Sequence, residues 1–213
     1  MQLIAMITML IDHIGLLFFP GEVIWRVIGR IAFPIYAYAL VQGYAHTSNF
    51  KRYATRLLLI AVISQIPYQL VLNDAGLNVV VTLLVAILVL KILDHTRPGV
   101  LSVLIISGFA VFMEVLPFDY GAYGLLLVLI FKYAQSTGML LMHLLLNCVY
   151  LFSYGWTIQM ISILPTLVIA YGPSLWKRLE SMRVPVWVWR SFYPAHLFVL
   201  TLVVYGVRLG AGE

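Results

Sequence analysis

The chain has 213 residues, of which 63% are hydrophobic and only 10% are charged, and its mean hydropathy is +1.01. Soluble domains carry about 25% charged residues, so this composition excludes a soluble enzyme and leaves no room for an extramembrane domain. We expect residues 1–213 to form a single integral-membrane domain. The net charge of +5 does not indicate a nucleic-acid partner, because the basic residues lie in short connections between apolar segments.

Hydropathy along the chain predicts an all-α, polytopic membrane bundle. We expect about nine transmembrane helices (eight to ten), each near the ~17–25 residues that span a bilayer or somewhat shorter. In chain order they fall at about 2–19, 31–46, 55–72, 78–94, 99–116, 121–135, 138–154, 156–172 and 192–209. No internal repeat interrupts this series.

Basic residues are concentrated in alternate links between these segments, which sets the expected orientation. The link after the second segment holds Lys51, Arg52 and Arg56, and the link before the last holds Lys177, Arg178, Arg183 and Arg190. By the positive-inside rule, these links and the N-terminus are expected to face the cytoplasm. The stretch 173–191 mixes tryptophan, leucine and basic residues, which predicts either an amphipathic surface segment or an ordinary loop.

The first segment carries an Asp-His pair, Asp12-His13, in the half expected to face outward. An aspartate at the centre of a membrane helix costs about 2.5–3.5 kcal/mol on insertion scales, and such residues usually mark functional sites. His13 is predicted to be a general base, because imidazole titrates near neutral pH. Asp12 is predicted either to orient His13, as a carboxylate does in hydrolytic triads, or to pair with Arg26 or Arg30 as a structural lock.

Three further residues complete the predicted catalytic set. Arg30 begins the second segment and is predicted to hold either Asp12 or a substrate carbonyl; the alternative is an arginine that only sets topology and reaches the interface. Asp119 and Tyr120 supply an acceptor and a donor in "FDYGAYG" at 118–124, where glycines let the backbone approach a ligand. The alternative for this motif is an interfacial tyrosine belt with a tight turn.

A second group of side chains lies at the expected cytoplasmic end of the second and third segments. Its members are His46, Lys51, Arg52 and Arg56. Arginine matches phosphate geometry, so this group is predicted to bind a phosphorylated cosubstrate, unless it only sets topology. Gln65 and the His143–Asn147 pair are more typical of interhelical hydrogen bonds than of ligands. The histidines and acids match no metal-binding spacing, and we expect no metal site.

At these positions the sequence resembles the TraX family of bacterial membrane proteins. The motifs are "MLIDHIG" (9–15), "RVIGRIAFPIYAY" (26–38), "QGYAHT" (42–47), "KRYATRLL" (51–58), "ISQIPY" (63–68), "FDYGAYG" (118–124) and "FYPAHL" (192–197). The resemblance covers nearly the whole chain and implies a multi-pass protein of the bacterial inner membrane. It also implies transfer of an acetyl group from acetyl-CoA to the amino terminus of an exported protein or peptide, such as pilin.

The resemblance implies roles for the residues already singled out. His13 would deprotonate the acceptor amine, and Arg30 or Tyr120 would hold the oxyanion of the tetrahedral intermediate. The cosubstrate would be bound by residues spread along the chain, namely His46, Lys51, Arg52, Arg56, Arg26, Gln65 and His196. Transfer would be either direct or through an acetyl-His13 intermediate.

Two other classes of protein remain open from the sequence. The first is a proton-coupled small-molecule transporter in which Asp12, His13 and Arg30 form a relay. The second is a non-catalytic scaffold for secretion machinery, in which the polar residues only hold helices together. Acyl-CoA turnover separates the enzyme from both alternatives, and pH-driven uptake distinguishes the transporter.

Overall fold

The computed structural model describes residues 1–72, 75–172 and 184–211, which form an all-α bundle. The helices are α1 (Gln2–Phe18), α2 (Val23–Gly29), α3 (Ala32–His46), α4 (Phe50–Leu72), α5 (Val79–Leu93), α6 (Val100–Val115), α7 (Gly121–Tyr133), α8 (Ser136–Tyr154), α9 (Ile163–Tyr171) and α10 (Val186–Ala211). A 3-10 helix, Thr157–Ser162, leads directly into α9. The prediction of an all-α membrane bundle is confirmed.

Four of the described helical segments are long and apolar enough to cross a membrane. They are Val23–His46 (α2 and α3 together), Phe50–Leu72, Ser136–Tyr154 and Val186–Leu209. The remaining apolar helices have 10–17 residues. The peripheral helix α6 exposes apolar side chains, since Val100, Val111 and Val115 are 77%, 63% and 76% exposed. Such a surface suits contact with lipid rather than water.

The starts of two helices, α4 and α10, differ from the predicted ones. Helix α4 begins at Phe50 rather than near residue 55, because Asn49 caps it by accepting a hydrogen bond from the Arg52 backbone N–H at 2.9 Å. Lys51 and Arg52 therefore lie on its first turn and not in a link. Helix α10 begins at Val186, directly after Pro185, so residues 186–191 are helical. The rest of the predicted amphipathic stretch, 173–183, lies outside the described residues.

Helix α7 is the centre of the bundle and packs against α3, α5, α6 and α8. Ten of its residues are buried, and Leu125, Leu127 and Val128 have no exposed surface. A helix that is apolar all round is suited to this central position. Helices α1, α2, α4 and α10 form a second group. This group contacts the helices around α7 mainly through α3 and α5.

The short helix α2 folds back on α1 at very close range. A Cβ atom at Gly15 would lie 2.0 Å from Trp25 Cβ, and one at Gly29 would lie 2.0 Å from Asp12 Oδ1. Only glycine permits this approach at both contacts. The sequence prediction treated residues 20–30 as a link between the first two segments. The close packing places the arginines of α2 directly over Asp12.

Candidate functional site

The polar residues of α1 meet those of α2, α10 and the α6–α7 turn in the interior of the bundle. We call this group the polar centre; its members are Asp12, His13, Arg26, Arg30, Tyr120 and His196. His13 lies eleven residues from the start of α1, which is about 16 Å along the helix axis. His196 lies ten residues from the start of α10. The two histidines therefore lie away from the ends of their helices.

Asp12 pairs with two arginines. Arg26 Nη1 donates a hydrogen bond of 2.8 Å to Asp12 Oδ2, and Arg30 Nη2 lies 3.6 Å from Asp12 Oδ1. Of the two predictions for Asp12, the arginine pairing is the one observed. Neighbouring residues on a helix point about 100° apart, so the Asp12 carboxylate faces α2 while the imidazole of His13 faces α10. A buried carboxylate is stable in this position because two cations compensate it.

His13 instead has a histidine partner. His13 Nδ1 lies 2.8 Å from His196 Nε2, and His196 Nδ1 lies 2.8 Å from the Phe192 carbonyl oxygen. A carbonyl only accepts, so His196 Nδ1 must carry a proton and donate. In the neutral pair His196 Nε2 is then an acceptor, and His13 Nδ1 must donate to it.

This assignment leaves the other nitrogen of His13 unprotonated. Among the described residues, none makes a hydrogen bond to His13 Nε2, and His13 lines a cavity. An imidazole whose N–H is held by a fixed acceptor presents its lone pair in a fixed direction. His13 Nε2 is therefore a base with the correct tautomer to accept a proton. The sequence placed His196 among the cosubstrate-binding residues; the structure places it beside His13.

Tyr120 adopts a conformation that is unusual for a non-glycine residue. Its φ of +63° is left-handed, and the following Gly121 has φ +42°. The ring of Tyr120 stacks on Phe33 with centroids 3.9 Å apart. Strained backbone of this kind is retained mainly at functional sites, where the surrounding packing enforces it. Here the strain directs the phenol into the polar centre.

Arg30 connects Tyr120 to a second set of buried polar groups. Arg30 Nη1 donates to Tyr120 Oη and to Gln159 Oε1, both at 3.2 Å. Because Tyr120 Oη accepts from a guanidinium, its own hydrogen is left to donate. No described residue accepts that hydrogen bond, and the buried Nε of Arg30 likewise has no described partner. The site thus retains unused donors for an acceptor atom.

Behind Gln159, buried side chains of α7, α8, the 3-10 helix and α9 form a connected network. Tyr123 Oη is its hub and contacts His143 Nε2 at 2.9 Å, Asn147 Oδ1 at 2.9 Å, Ser162 Oγ at 3.2 Å and Gln159 Nε2 at 3.0 Å. The interpretation of His143 and Asn147 as interhelical hydrogen-bonding residues is confirmed. The role of Gln159 was missed, because one glutamine in an apolar run carries no sequence signal.

Three cavities follow one another through the bundle. The central cavity has a volume of about 240 Å³ and is lined by Asp12, His13, Arg30 and Tyr120 together with apolar side chains. The vestibule, about 670 Å³, shares Arg26, Arg30, Asp119 and Tyr120 with it and extends to Trp156. The third cavity, about 340 Å³, shares Tyr36, Val80, Leu83 and Tyr193 with the central cavity and extends to Arg56 and Arg190. We call it the Arg56 cavity.

The residues predicted to bind the cosubstrate do not form one cluster. Arg56 lines the Arg56 cavity, whereas His46, Lys51 and Arg52 are exposed at the adjoining ends of α3 and α4. Arg26 belongs to the polar centre. Gln65 connects α4 to the start of α5, donating to the Gly76 carbonyl and accepting from Asn78 Nδ2, both at 2.7 Å.

Asp119 lines both the central cavity and the vestibule. Its backbone carbonyl accepts a 2.5 Å hydrogen bond from Thr82 Oγ1, and its backbone N–H donates to the Leu77 carbonyl. These bonds fix the turn that carries Tyr120. Over the described ranges, no group of three or more histidine, cysteine or acidic side chains is arranged to hold a metal ion.

Comparison with known proteins identifies one family and two relatives, which match very different shares of the chain. The family model described as TraX protein matches residues 1–204. A probable fimbrial assembly protein FimC, serogroup H1, of Dichelobacter nodosus is 30% identical over 230 residues, covering 94% of this chain and 92% of that protein. The uncharacterized protein RP591 of Rickettsia prowazekii (strain Madrid E) is 38% identical over 66 residues, covering 31% of this chain and 25% of that protein. No solved structure matches significantly.

Proposed function

This chain belongs to the TraX family, and we propose that it is a membrane-embedded acyltransferase. The proposed reaction moves an acetyl group from acetyl-CoA to the amine of an exported peptide or protein. A relative named as a probable fimbrial assembly protein supports a fimbrial or pilin subunit as the acceptor. The observation that carries the proposal is the His13–His196 pair, which leaves His13 Nε2 open to the central cavity.

In the proposed direct mechanism, His13 Nε2 accepts a proton from the acceptor amine while the amine nitrogen attacks the thioester carbonyl carbon. His196 accepts the Nδ1–H hydrogen bond throughout and keeps the ring oriented. The tetrahedral intermediate then collapses with cleavage of the carbon–sulfur bond. The departing thiolate takes the proton from His13, which restores the neutral base.

The developing oxyanion needs a fixed hydrogen-bond donor. We assign this role to Tyr120, because its hydroxyl accepts from Arg30 and so has a free, polarised hydrogen. Donors that are already oriented before reaction give the largest electrostatic contribution to acyl transfer. Arg30 acts through Tyr120, and Gln159 and Asp12 position the guanidinium.

The same free lone pair allows a second route, in which His13 Nε2 itself attacks the thioester and forms acetyl-histidine. The acceptor amine would then attack that intermediate, displacing the imidazole. The two routes differ in one measurable way. Only the acetyl-histidine route gives a burst of free thiol, equal to one per protein, in the absence of acceptor.

The test is acetyl-CoA turnover by the purified protein in nanodiscs, followed by free-thiol release and by mass spectrometry of a peptide amine acceptor. The parent is expected to acetylate the peptide, and His13→Ala is expected to lose at least ~100-fold, since general base catalysis contributes about 10²–10⁴. His95→Ala is the control for loss of a histidine, because His95 is exposed and lines none of the three cavities. A folded parent without turnover would contradict the proposal, and pH-driven solute uptake would then favour the transporter.

A further inference from the structure

Helices α1, α3 and α4 each line both the Arg56 cavity and the central cavity. In α1, Gln2 lines the Arg56 cavity and His13 the central cavity. In α3, Gly43 lines only the first, and Tyr36 lines both. In α4, Arg56 lines the first and Tyr68 the second, and these residues are about 18 Å apart along the axis. The two adjoining cavities therefore extend together from the N-terminal end of α1 to His13, and we call this course the path.

The outer part of this path is suited to an anion. Arg56 and Arg190 are the charged residues of the lining, which contains no aspartate or glutamate. Among the described carboxylates, none pairs with either arginine. Arg56 is partly buried and lies over the ring of Tyr53 at 5.8 Å. Two arginines without acidic partners at the mouth of a cavity suit a phosphate-bearing ligand.

The two cavities meet at the four lining residues that they share, Tyr36, Val80, Leu83 and Tyr193. We call this boundary the neck. The ring of Tyr36 stacks on Trp189 with centroids 4.8 Å apart. The hydroxyl of Tyr36 is buried, and within the described residues it has no hydrogen-bond partner. An unsatisfied buried hydroxyl beside a cavity is suited to a ligand that brings an acceptor.

From these three observations we infer that the Arg56 cavity binds the arm of a phosphopantetheine thioester. The phosphates lie at Arg56 and Arg190, the slender arm passes the neck, and one of its amide carbonyls accepts from the Tyr36 hydroxyl. The thioester then reaches the central cavity at His13. The inference rests on the proposed acyl transfer and adds its donor site, including Arg190, Tyr36 and Trp189, which the sequence did not indicate.

The test compares two donors in the peptide acetylation assay: acetyl-CoA and the short thioester S-acetyl-N-acetylcysteamine, which lacks the phosphates and most of the arm. Arg56→Gln/Arg190→Gln is expected to raise the KM for acetyl-CoA about 10–100-fold, since charge-assisted contacts are lost. Tyr36→Phe is expected to raise it several-fold. The double arginine variant should not change the KM for the short thioester, because that donor carries no phosphate. Arg208→Gln, an exposed arginine at the far end of α10, is the matched control.

A blocking variant tests the path itself. Ala39→Trp fills part of the Arg56 cavity and is expected to abolish use of acetyl-CoA while the short thioester, entering through the vestibule, is still used. Parent-like KM values for acetyl-CoA in the double arginine variant and in Tyr36→Phe would overturn the inference and leave the proposed function intact. A parent inactive with both donors would overturn the proposed function as well. If Ala39→Trp uses neither donor, the KM values of the double arginine variant and of Tyr36→Phe for acetyl-CoA decide whether the inference holds.

Discussion

The chemistry of His13 depends on which of its two ring nitrogens carries the proton. The Phe192 carbonyl fixes the proton on His196 Nδ1, and His196 Nε2 in turn fixes the proton on His13 Nδ1. A backbone carbonyl one turn earlier in α10 thereby sets the tautomer of a side chain on α1. In the proposed mechanism His196 is a positioning residue, because it contacts His13 but does not line the central cavity.

Replacing His196 should reduce turnover without abolishing it. His196→Phe retains a ring but removes the acceptor for His13 Nδ1–H, and loss of such a partner typically lowers activity about 10–100-fold. His196→Gln keeps an acceptor oxygen and should recover part of the loss. The pH profile of kcat should shift in His196→Phe and return toward the parent in His196→Gln. Identical pH profiles and rates in the parent, His196→Phe and His196→Gln would show that His196 has only a packing role. His95→Phe is the control for loss of a histidine.

Tyr120 offers a separate test of the oxyanion assignment. Tyr120→Phe preserves the stack on Phe33 but removes the hydroxyl that Arg30 polarises. Removing one donor from an oxyanion hole lowers kcat by about 10²–10³-fold, and the KM for acetyl-CoA should change little. Steady-state kinetics measures kcat and the KM for acetyl-CoA separately. Tyr205→Phe, on an exposed part of α10, should match the parent, and an unchanged kcat in Tyr120→Phe would rule out this role.

At the scale of the elements, the contact of α2 with α1 sets the position of Asp12. Gly29→Ala would place a methyl group only 2.0 Å from Asp12 Oδ1, so α2 or Asp12 must move. Such overpacking typically costs about 1–3 kcal/mol, or a fall in Tm of about 2–4 °C per kcal/mol for a chain of this length. Thermal unfolding in detergent should show this fall together with reduced turnover. Gly108→Ala, which meets nothing within 4 Å, should show neither effect; a parent-like Gly29→Ala would contradict the close packing.

The hub of the polar network gives a second prediction for the elements. Tyr123→Phe removes the hydroxyl that contacts His143, Asn147, Ser162 and Gln159. Ser162 still contacts His143 and Asn147, but Gln159 Nε2 loses the acceptor of its hydrogen bond. The expected loss is about 1–3 kcal/mol, the usual effect of leaving buried polar groups unsatisfied, and it appears as a lower Tm. Turnover should fall as well, because Gln159 also holds Arg30. Unchanged stability relative to Tyr205→Phe would mean that water replaces the hydroxyl.

The elements also show how far the sequence determines the fold. Each apolar segment predicted from hydropathy corresponds to helix, because a long apolar run satisfies its backbone in a membrane only as a helix. Boundaries shifted where a local cap such as Asn49 extended α4. The pairing of Asp12 with arginines was one of two predicted options. The contact of His13 with His196 spans 183 positions and depends on how α10 packs on α1, which hydropathy does not encode.

At the scale of the whole molecule, the three cavities place the polar centre between two opposite ends of the bundle. The Arg56 cavity extends to Gln2 at the start of α1, and the vestibule extends to Trp156 and Gln159. The positive-inside rule predicts that the first end faces the cytoplasm. The acyl donor and the acceptor would then approach His13 from opposite sides of the membrane, and neither would need to cross it.

Transfer across a sealed bilayer tests this account most directly. Acceptor peptide is trapped inside proteoliposomes of mixed protein orientation, and acetyl-CoA, which does not cross membranes, is added outside. The expected result is acetylated peptide inside sealed vesicles with the parent protein and none with His13→Ala. Acetylation only when the peptide and acetyl-CoA share a compartment would contradict the account.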